Sequence, residues 1–149
     1  MLIYEVFAAF VATMGFGILF NIKGKNLIFA GIGGAIAWLV YKVGLISGLS
    51  DIAALFASSI IFSSYSEACA RILKTPVTTI VVCALIPLVP GGGMYYTMYE
   101  AVQGNVMASL DKALSTIASA GALALGVVVV STITRLANSA RLKYNYKKS

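Results

Sequence analysis

The feature that most constrains this chain is a run of helix-breaking residues inside a long apolar stretch. The run covers residues 87–93, with the sequence Pro-Leu-Val-Pro-Gly-Gly-Gly, and the apolar stretch extends from Val77 to Met98. Proline lacks an amide donor and clashes with the preceding helical turn, and each glycine lowers helix propensity. A regular helix therefore does not continue through this run.

The composition of the chain indicates an integral membrane protein. Of its 149 residues, 60% are hydrophobic and only 11% are charged, which is more apolar surface than a soluble domain of this size needs. In lipid, a backbone without helical hydrogen bonds must be buried in protein or must line a watery cavity. The break therefore marks a place where a polar group binds or passes.

The sequence predicts an all-α membrane protein with one domain of about five transmembrane helices, because each span needs roughly 20 apolar residues. The predicted spans are approximately residues 2–20, 27–45, 52–70, 76–102 and 113–134, followed by a basic tail over residues 135–149. The fourth span contains the break. This inventory leaves no room for a separate soluble domain.

Lysine and arginine are distributed unequally over the predicted loops. If the N-terminus lies outside, the cytoplasmic side holds all of the 11 basic residues except Lys42 and Lys112. Basic residues favour the cytoplasmic side of a membrane. The sequence therefore predicts a multi-pass protein of the cell membrane with the N-terminus outside and the C-terminus in the cytoplasm. The same bias explains the net charge of +6 without a nucleic-acid partner.

The break divides the fourth span into two half-helices. With Thr75 as N-cap and Pro76 at the first position, the first half-helix rises about 16 Å to Pro87, which reaches about the middle of the hydrocarbon core. We expect the second to restart near Met94, with free N–H groups and a positive dipole end in the membrane.

An amino end of this kind is suited to binding an anion. Half-helix termini bind anionic groups in several transporter folds, and glycine lets a carboxylate approach the backbone closely because no Cβ intervenes. The candidate substrate-binding residues are Pro87, Pro90, Gly91, Gly92, Gly93, Tyr95, Tyr96 and Tyr99. A simple proline kink at a close helix contact is the alternative.

The third span carries a polar stripe. Its members at helical spacing are Ser59, Ser63, Ser66 and Glu67, with Ser64 beside them. A carboxylate within a span is costly and usually faces the interior of a bundle, so Glu67 is a candidate for proton coupling. Arg71 follows at i+4, and an interfacial ion pair worth about a few tenths of a kcal/mol is the alternative.

Small residues and isolated acids have simpler interpretations. We expect close helix packing at two small-residue faces, which are Gly31, Gly33, Gly34, Ala35 and Ala37 in the second span and Ser115, Ser119, Ala122 and Gly126 in the fifth. We expect Glu5, Asp51 and Asp111 to be solvated near the outer ends of the spans.

Enzymatic chemistry has little support in the sequence. The chain contains no histidine, which is the commonest general base and a common metal ligand. Cys69 and Cys83 are not spaced as a metal pair and are expected to pack as small apolar residues. The sequence predicts no enzyme activity, no cofactor and no metal site.

The chain resembles the threonine/serine exporter (ThrE) family, and within it the small-subunit, YjjB-like type. The resemblance rests on five spans in 149 residues, on the predicted external N-terminus, and on Pro87-Leu88-Val89-Pro90-Gly91 followed by Tyr95 and Tyr96. Carried over by position, Pro87, Pro90, Gly91, Gly92 and Gly93 match the Pro-Gly break of the family.

The resemblance implies proton-driven export of small carboxylate-bearing metabolites, either threonine and serine or dicarboxylates such as succinate. It also implies a larger ThrE-family membrane subunit as partner, because this chain has half the spans of the fused exporters. A non-transporting accessory or scaffolding subunit and a homo-oligomeric pore are the alternatives.

Overall fold

A computed structural model describes the backbone of residues 1–148 and the side chains of residues 1–139. Within this range the chain is helical and contains no β-strand. The helices are α1 (Leu2–Leu19), α2 (Lys25–Ile46), α3 (Asp51–Leu73), α4 (Val77–Leu85), α5 (Gly91–Val102) and α6 (Val106–Lys148), with a short 3₁₀ helix at Ile86–Leu88.

The helices confirm the all-α membrane class. Four of them, α1, α2, α3 and α6, are long and apolar enough to cross a membrane. The segments Val77–Leu88 and Gly91–Val102 meet these criteria together as one broken span, bent by 50°. The described residues therefore contain up to five spans.

Of the seven basic residues with described side chains, five lie at one end of the bundle. Asn26 at the start of α2 donates a 3.3 Å hydrogen bond to Thr75, which precedes α4, so the α1–α2 and α3–α4 loops adjoin. We call this the basic end, and it carries Lys23, Lys25, Arg71, Lys74 and Arg135. The side chains of Arg141, Lys143, Lys147 and Lys148 in the predicted basic tail lie outside the described residues.

Small residues let the first three helices approach one another closely. Gly31 and Gly34 of α2 are buried against α1, and a Cβ on either would clash with α1 side chains. Ser58 of α3 donates a 2.6 Å hydrogen bond to the carbonyl of Ala37 in α2. The predicted packing face of the second span is therefore confirmed at these positions, and Gly33 is also buried there.

Helix α6 runs parallel to α3 and packs along it. Asp51 at the start of α3 lies beside Ser119, and Ser59 farther along lies beside Gly126. Ser119, Ala122 and Gly126 are buried as predicted for the fifth span. The prediction was wrong for Ser115, which is exposed because it precedes the part of α6 that contacts α3.

Helix α5 differs from the other helices because it has no buried residue. Its main neighbour is the first part of α6. Thr97 accepts a 2.9 Å hydrogen bond at its carbonyl from Ser109 of α6, and Met98 and Val102 are 66% and 84% exposed. Much of the apolar surface of α5 is therefore left uncovered by this chain.

The break in the fourth span lies beside the end of α3 that carries Asp51, rather than half-way along α3. Val77 shares a cleft with Glu67, whereas Pro90 shares a cavity with Asp51. Helix α4 begins level with Glu67, which lies six residues, or about 9 Å, before the end of α3. The far end of α4 therefore lies beyond the middle of the membrane, where the break was expected.

The helix boundaries at the break also differ from expectation. Pro76 rather than Thr75 is the N-cap of α4, and α5 begins at Gly91 rather than near Met94. The glycines therefore form the first turn of α5. The low helix propensity of glycine has little effect there, because the first amides of a helix have no intrahelical partner in any case.

Candidate functional site at the helix break

The break leaves main-chain groups at the start of α5 without hydrogen-bond partners. The Gly91 amide donates to the carbonyl of Val89 at 2.7 Å, and the Met94 amide donates to the carbonyl of Pro90 at 3.1 Å. Between them, the amides of Gly92 and Gly93 have no backbone acceptor among the described residues. Free amides at a helix N-terminus favour an anion, because they lie at the positive end of the helix dipole.

The three glycines differ in their surroundings. Gly91 and Gly92 are exposed, and a Cβ on either would meet no atom within 4 Å. Gly93 contacts Thr116 of α6 so closely that a Cβ there would be 3.3 Å from the Thr116 Cβ and nearer still to its hydroxyl oxygen. Gly91 and Gly92 therefore keep the amino end of α5 open, whereas Gly93 permits the packing of α5 on α6.

The three predicted tyrosines form one aromatic cluster on α5. The rings of Tyr95 and Tyr99 stack at 6.2 Å, and Tyr95 meets Tyr96 edge to face at 5.3 Å. All three side chains are exposed, and none of their hydroxyls has a hydrogen-bond partner in the described part of the chain. The cluster is therefore free to contact a solute or another protein.

The prolines of the break line a cavity of mixed polarity at the end of the bundle opposite the basic end. Its volume is about 250 Å³, and its walls include Trp38, Tyr41, Asp51, Pro87, Pro90 and Ser119. Asp51 accepts hydrogen bonds from the Tyr41 hydroxyl and from the Ser119 hydroxyl, the latter at 3.3 Å. The cavity adjoins the break on the side of the prolines, and Gly91 and Gly92 do not line it.

Glu5 belongs to a second polar group beside the same cavity. It forms a 2.8 Å ion pair with Lys42 and accepts a 3.2 Å hydrogen bond from the Trp38 ring nitrogen. Asp51 is exposed and the Glu5 side chain is 34% exposed, as expected for solvated acids, but both also have partners in the bundle that were not predicted. Spacing gives a partial signal, since Trp38, Tyr41 and Lys42 share one face of α2, but the pairing across helices depends on tertiary packing.

The serine stripe on α3 faces the bundle interior. Ser59, Ser63 and Ser66 are at most 2% exposed, whereas Ser64 points outward and its hydroxyl bonds the Ile60 carbonyl at 2.8 Å. Ser59 and Ser66 likewise donate to carbonyls of their own helix. The Ser63 hydroxyl is buried and is the only such side-chain oxygen or nitrogen without a partner in the described part of the chain.

Glu67 and Ser63 line a cleft of about 390 Å³ at the basic end. The cleft lies between α3, the start of α4 and residues 127–138 of α6. A guanidinium nitrogen of Arg71 lies 4.0 Å from the Glu67 carboxylate, and the Glu67 side chain is 15% exposed. The i,i+4 ion pair, which was the alternative to proton coupling, is therefore a loose contact. The carboxylate therefore retains the capacity to bind a further donor.

The opposite wall of this cleft was not predicted from the sequence. Its polar residues come from α6 and are Ser131, Thr134, Arg135 and Asn138. Positions 131, 134, 135 and 138 follow the i, i+3, i+4, i+7 spacing of one helical face, and this spacing was the available signal. It was hidden because these residues fall at the predicted junction between a span and a basic tail.

Comparison with known proteins supports an assignment to a family. Among curated proteins and solved structures, no significant match was found. The model of the family described as "Threonine/Serine exporter, ThrE" matches residues 5–133. The matched range includes the break, the serine stripe and the residues that line the cleft, except for Thr134, Arg135 and Asn138. The chain therefore belongs to the threonine/serine exporter family.

Proposed function

We propose that the chain is a subunit of a secondary transporter that exports small carboxylate-bearing metabolites, either threonine and serine or a dicarboxylate such as succinate. Membership of the exporter family supports the transport role. The observation that carries the choice of site is the exposed first turn of α5, where the Gly92 and Gly93 amides have no backbone acceptor among the described residues.

In this proposal the substrate carboxylate binds at the amino end of α5. The exposed glycines allow it to reach the amides, and the helix dipole contributes attraction of about 0.3–1 kcal/mol. The hydroxyls of Tyr95, Tyr96 and Tyr99 are available to the rest of the substrate, because they have no partner within the described residues. Pro87 and Pro90 hold the two half-helices at their 50° angle.

We propose further that a larger membrane subunit of the same family covers α5. Free amides are costly against hydrocarbon, and those of α5 lie on a helix whose main neighbour is α6 alone. Placing the substrate path between two subunits would give these amides a polar environment. Rocking of one subunit against the other would then expose the path to each side in turn.

The proposed orientation places the basic end in the cytoplasm and Glu5, Lys42 and Asp51 toward the outside. Glu67 is then the proton-coupling candidate near the cytoplasmic side. Among the described side chains, its charged neighbours in the cleft are Arg71 of its own helix and Arg135 of α6, whereas the adjoining part of α4 contributes no titratable side chain.

Efflux of labelled threonine, serine and succinate from cells that express the chain with its partner tests the proposal. The Gly92→Leu variant should abolish export, because the side chain covers the amides. It should still accumulate in the membrane, because a Cβ there meets nothing within 4 Å.

Gly15→Leu is the matched control, since Gly15 of α1 is also exposed and also has nothing within 4 Å of an added Cβ. This variant should export normally. Undiminished efflux from Gly92→Leu would instead support an accessory subunit, and efflux from cells that express this chain alone would support a homo-oligomeric pore.

The Glu67→Gln variant tests proton coupling separately. If Glu67 takes up a proton in each cycle, export by the variant should lose its dependence on external pH, because the amide does not titrate. A pH profile equal to that of the unmodified protein would remove Glu67 from the coupling mechanism.

A further inference from the structure

Among the described residues, the cleft at the basic end contains one unpaired positive group and one loosely paired negative group. The Arg135 guanidinium lines one wall and has no carboxylate within 4.0 Å among the described residues. Glu67 also lines the cleft, and its nearest cation among the described side chains is Arg71, with a guanidinium nitrogen 4.0 Å from the carboxylate oxygen. Opposite charges that share a cleft without neutralising each other can together bind a ligand that carries both charges.

The Ser63 hydroxyl adds an independent sign of a ligand. It is buried, lines this cleft and has no hydrogen-bond partner within the described residues. An unsatisfied buried hydroxyl costs about 1–3 kcal/mol, and the other two buried serines of the stripe avoid this cost by bonding to their own helix. The lack of a partner for the Ser63 hydroxyl is explained if a ligand hydroxyl forms a hydrogen bond with it.

We infer that this cleft binds a small hydroxylated amino acid in its zwitterionic form. Arg135 contacts the carboxylate, Glu67 contacts the ammonium group, and Ser63 bonds the side-chain hydroxyl of the ligand. The inference rests on the proposed transport function, because the bound amino acid is the solute to be exported. The cleft would receive it at the basic end before it reaches the break.

The charge pattern disfavours a dicarboxylate in this cleft. A second carboxylate would lie near Glu67, and like charges at close range are unfavourable at low dielectric. The volume of about 390 Å³ falls within the range of about 300–1,000 Å³ that is usual for small-molecule sites. Thr78 of α4 and Ser131 and Thr134 of α6 offer further hydroxyls on the walls.

A shared site for the ammonium group and the proton also gives a coupling mechanism. A protonated carboxyl group at Glu67 no longer attracts an ammonium group as a carboxylate does, so proton uptake and amino-acid binding exclude each other. Such competition at one carboxylate links release of the amino acid to entry of a proton. The described charged side chains that line or adjoin the cleft around Glu67 are Arg71 of α3 and Arg135 of α6.

Binding of L-threonine, L-valine and succinate to the full-length chain in lipid nanodiscs, measured by calorimetry, tests the inference. L-Valine has the shape of threonine but lacks the hydroxyl. Ser63→Ala should weaken threonine binding by about three- to tenfold and leave valine binding unchanged, because one neutral hydrogen bond is lost. Glu67→Gln should weaken both by at least about tenfold, since a charged partner is lost.

Ser64→Ala is the matched control, because Ser64 lies on the outer side of the same helix turn and bonds the Ile60 carbonyl. This variant should bind threonine as the unmodified chain does. The inference is overturned if the unmodified chain does not bind threonine, if it binds succinate more tightly, or if Ser63→Ala weakens valine binding as much as threonine binding.

Efflux measurements separate failure of this inference from failure of the proposed function. Export that depends on Gly92 but not on Ser63 or Glu67 would refute the cleft and leave the transporter. Threonine binding that depends on Ser63, without any efflux when the partner is present, would retain the cleft and refute the proposed export.

Discussion

Gly34 of α2 lies so close to Thr13 of α1 that a Cβ at position 34 would be 2.8 Å from the Cβ of Thr13. Thr13 is fully buried and its hydroxyl donates a 2.7 Å hydrogen bond to the Ala9 carbonyl. Neither side chain rotation nor rearrangement of the hydroxyl relieves a contact between two Cβ atoms. Here the backbones of α1 and α2 set the distance between the helices.

The Gly34→Ala substitution should therefore destabilise the protein. Overpacking of this kind costs about 1–3 kcal/mol, which should lower the melting temperature measured in detergent. Gly15→Ala on α1 is the control and should leave the melting temperature equal or higher, because a Cβ there meets no atom within 4 Å and alanine favours the helix.

Replacing Thr13 distinguishes a steric clash from a general loss of stability. Gly34→Ala should lower the stability less in a Thr13→Gly background, because the Cβ of residue 13 is then absent. A Thr13→Ala background should give only partial relief, since it removes the hydroxyl oxygen and the methyl group but leaves the Thr13 Cβ at 2.8 Å. Equal costs of Gly34→Ala in all three backgrounds would show that the contact does not limit this interface.

Two glycines of α6 provide a second matched pair. A Cβ at Gly126 would be 2.8 Å from the Cβ of Ser59 and 3.2 Å from the Phe56 carbonyl oxygen, whereas a Cβ at Gly121 would meet nothing within 4 Å. Gly126→Ala should lower the melting temperature by separating α6 from α3. Gly121→Ala should not lower it, because alanine in a helix gains up to about 1 kcal/mol over glycine. Equal effects of the two substitutions would contradict the packing described.

The membrane fold could be predicted from the sequence because its main determinants are local. Apolar length sets the spans, and five breakers between Pro87 and Gly93 set the discontinuity. The boundary at Gly91 was missed because glycine is a poor helix former in the interior, yet the first turn of α5 lies at a terminus and faces away from the bundle. There, low propensity has little consequence.

The polar sites were harder to predict because they join helices that are distant in sequence. The pairing of Glu5 with Lys42 spans α1 and α2, and the cleft of Glu67 includes Arg135 from α6. Each residue alone has a simple interpretation as a solvated or interfacial charge. Only packing decides which charged residues meet, and the small residues that govern this packing carry no information about charge.

The Glu5–Lys42 ion pair should couple α1 to α2 in a measurable way. The two side chains are 34% and 30% exposed and 2.8 Å apart, so we expect a coupling free energy of at most about 1 kcal/mol. In a double-mutant cycle with Glu5→Gln and Lys42→Met, the second substitution should cost less once the first is present. The free energy of unfolding in a detergent–denaturant titration is the measurement.

Lys112→Met is the control for this cycle, because Lys112 is exposed and forms no ion pair within the described residues. Its effect should be the same with Glu5 or with glutamine at position 5. Additive costs for Glu5→Gln and Lys42→Met would mean that the ion pair contributes nothing to stability.

Cysteine labelling in intact cells should reveal the orientation of the chain. A membrane-impermeant maleimide should label Lys112→Cys directly but label Lys23→Cys only after the cells are permeabilised, because basic residues favour the cytoplasmic side. Both positions are exposed, and the native Cys69 and Cys83 are only 6% and 0% exposed. The unmodified chain should therefore give little background labelling. The reverse labelling order would contradict the proposed topology and would place the cleft at the basic end on the outer side.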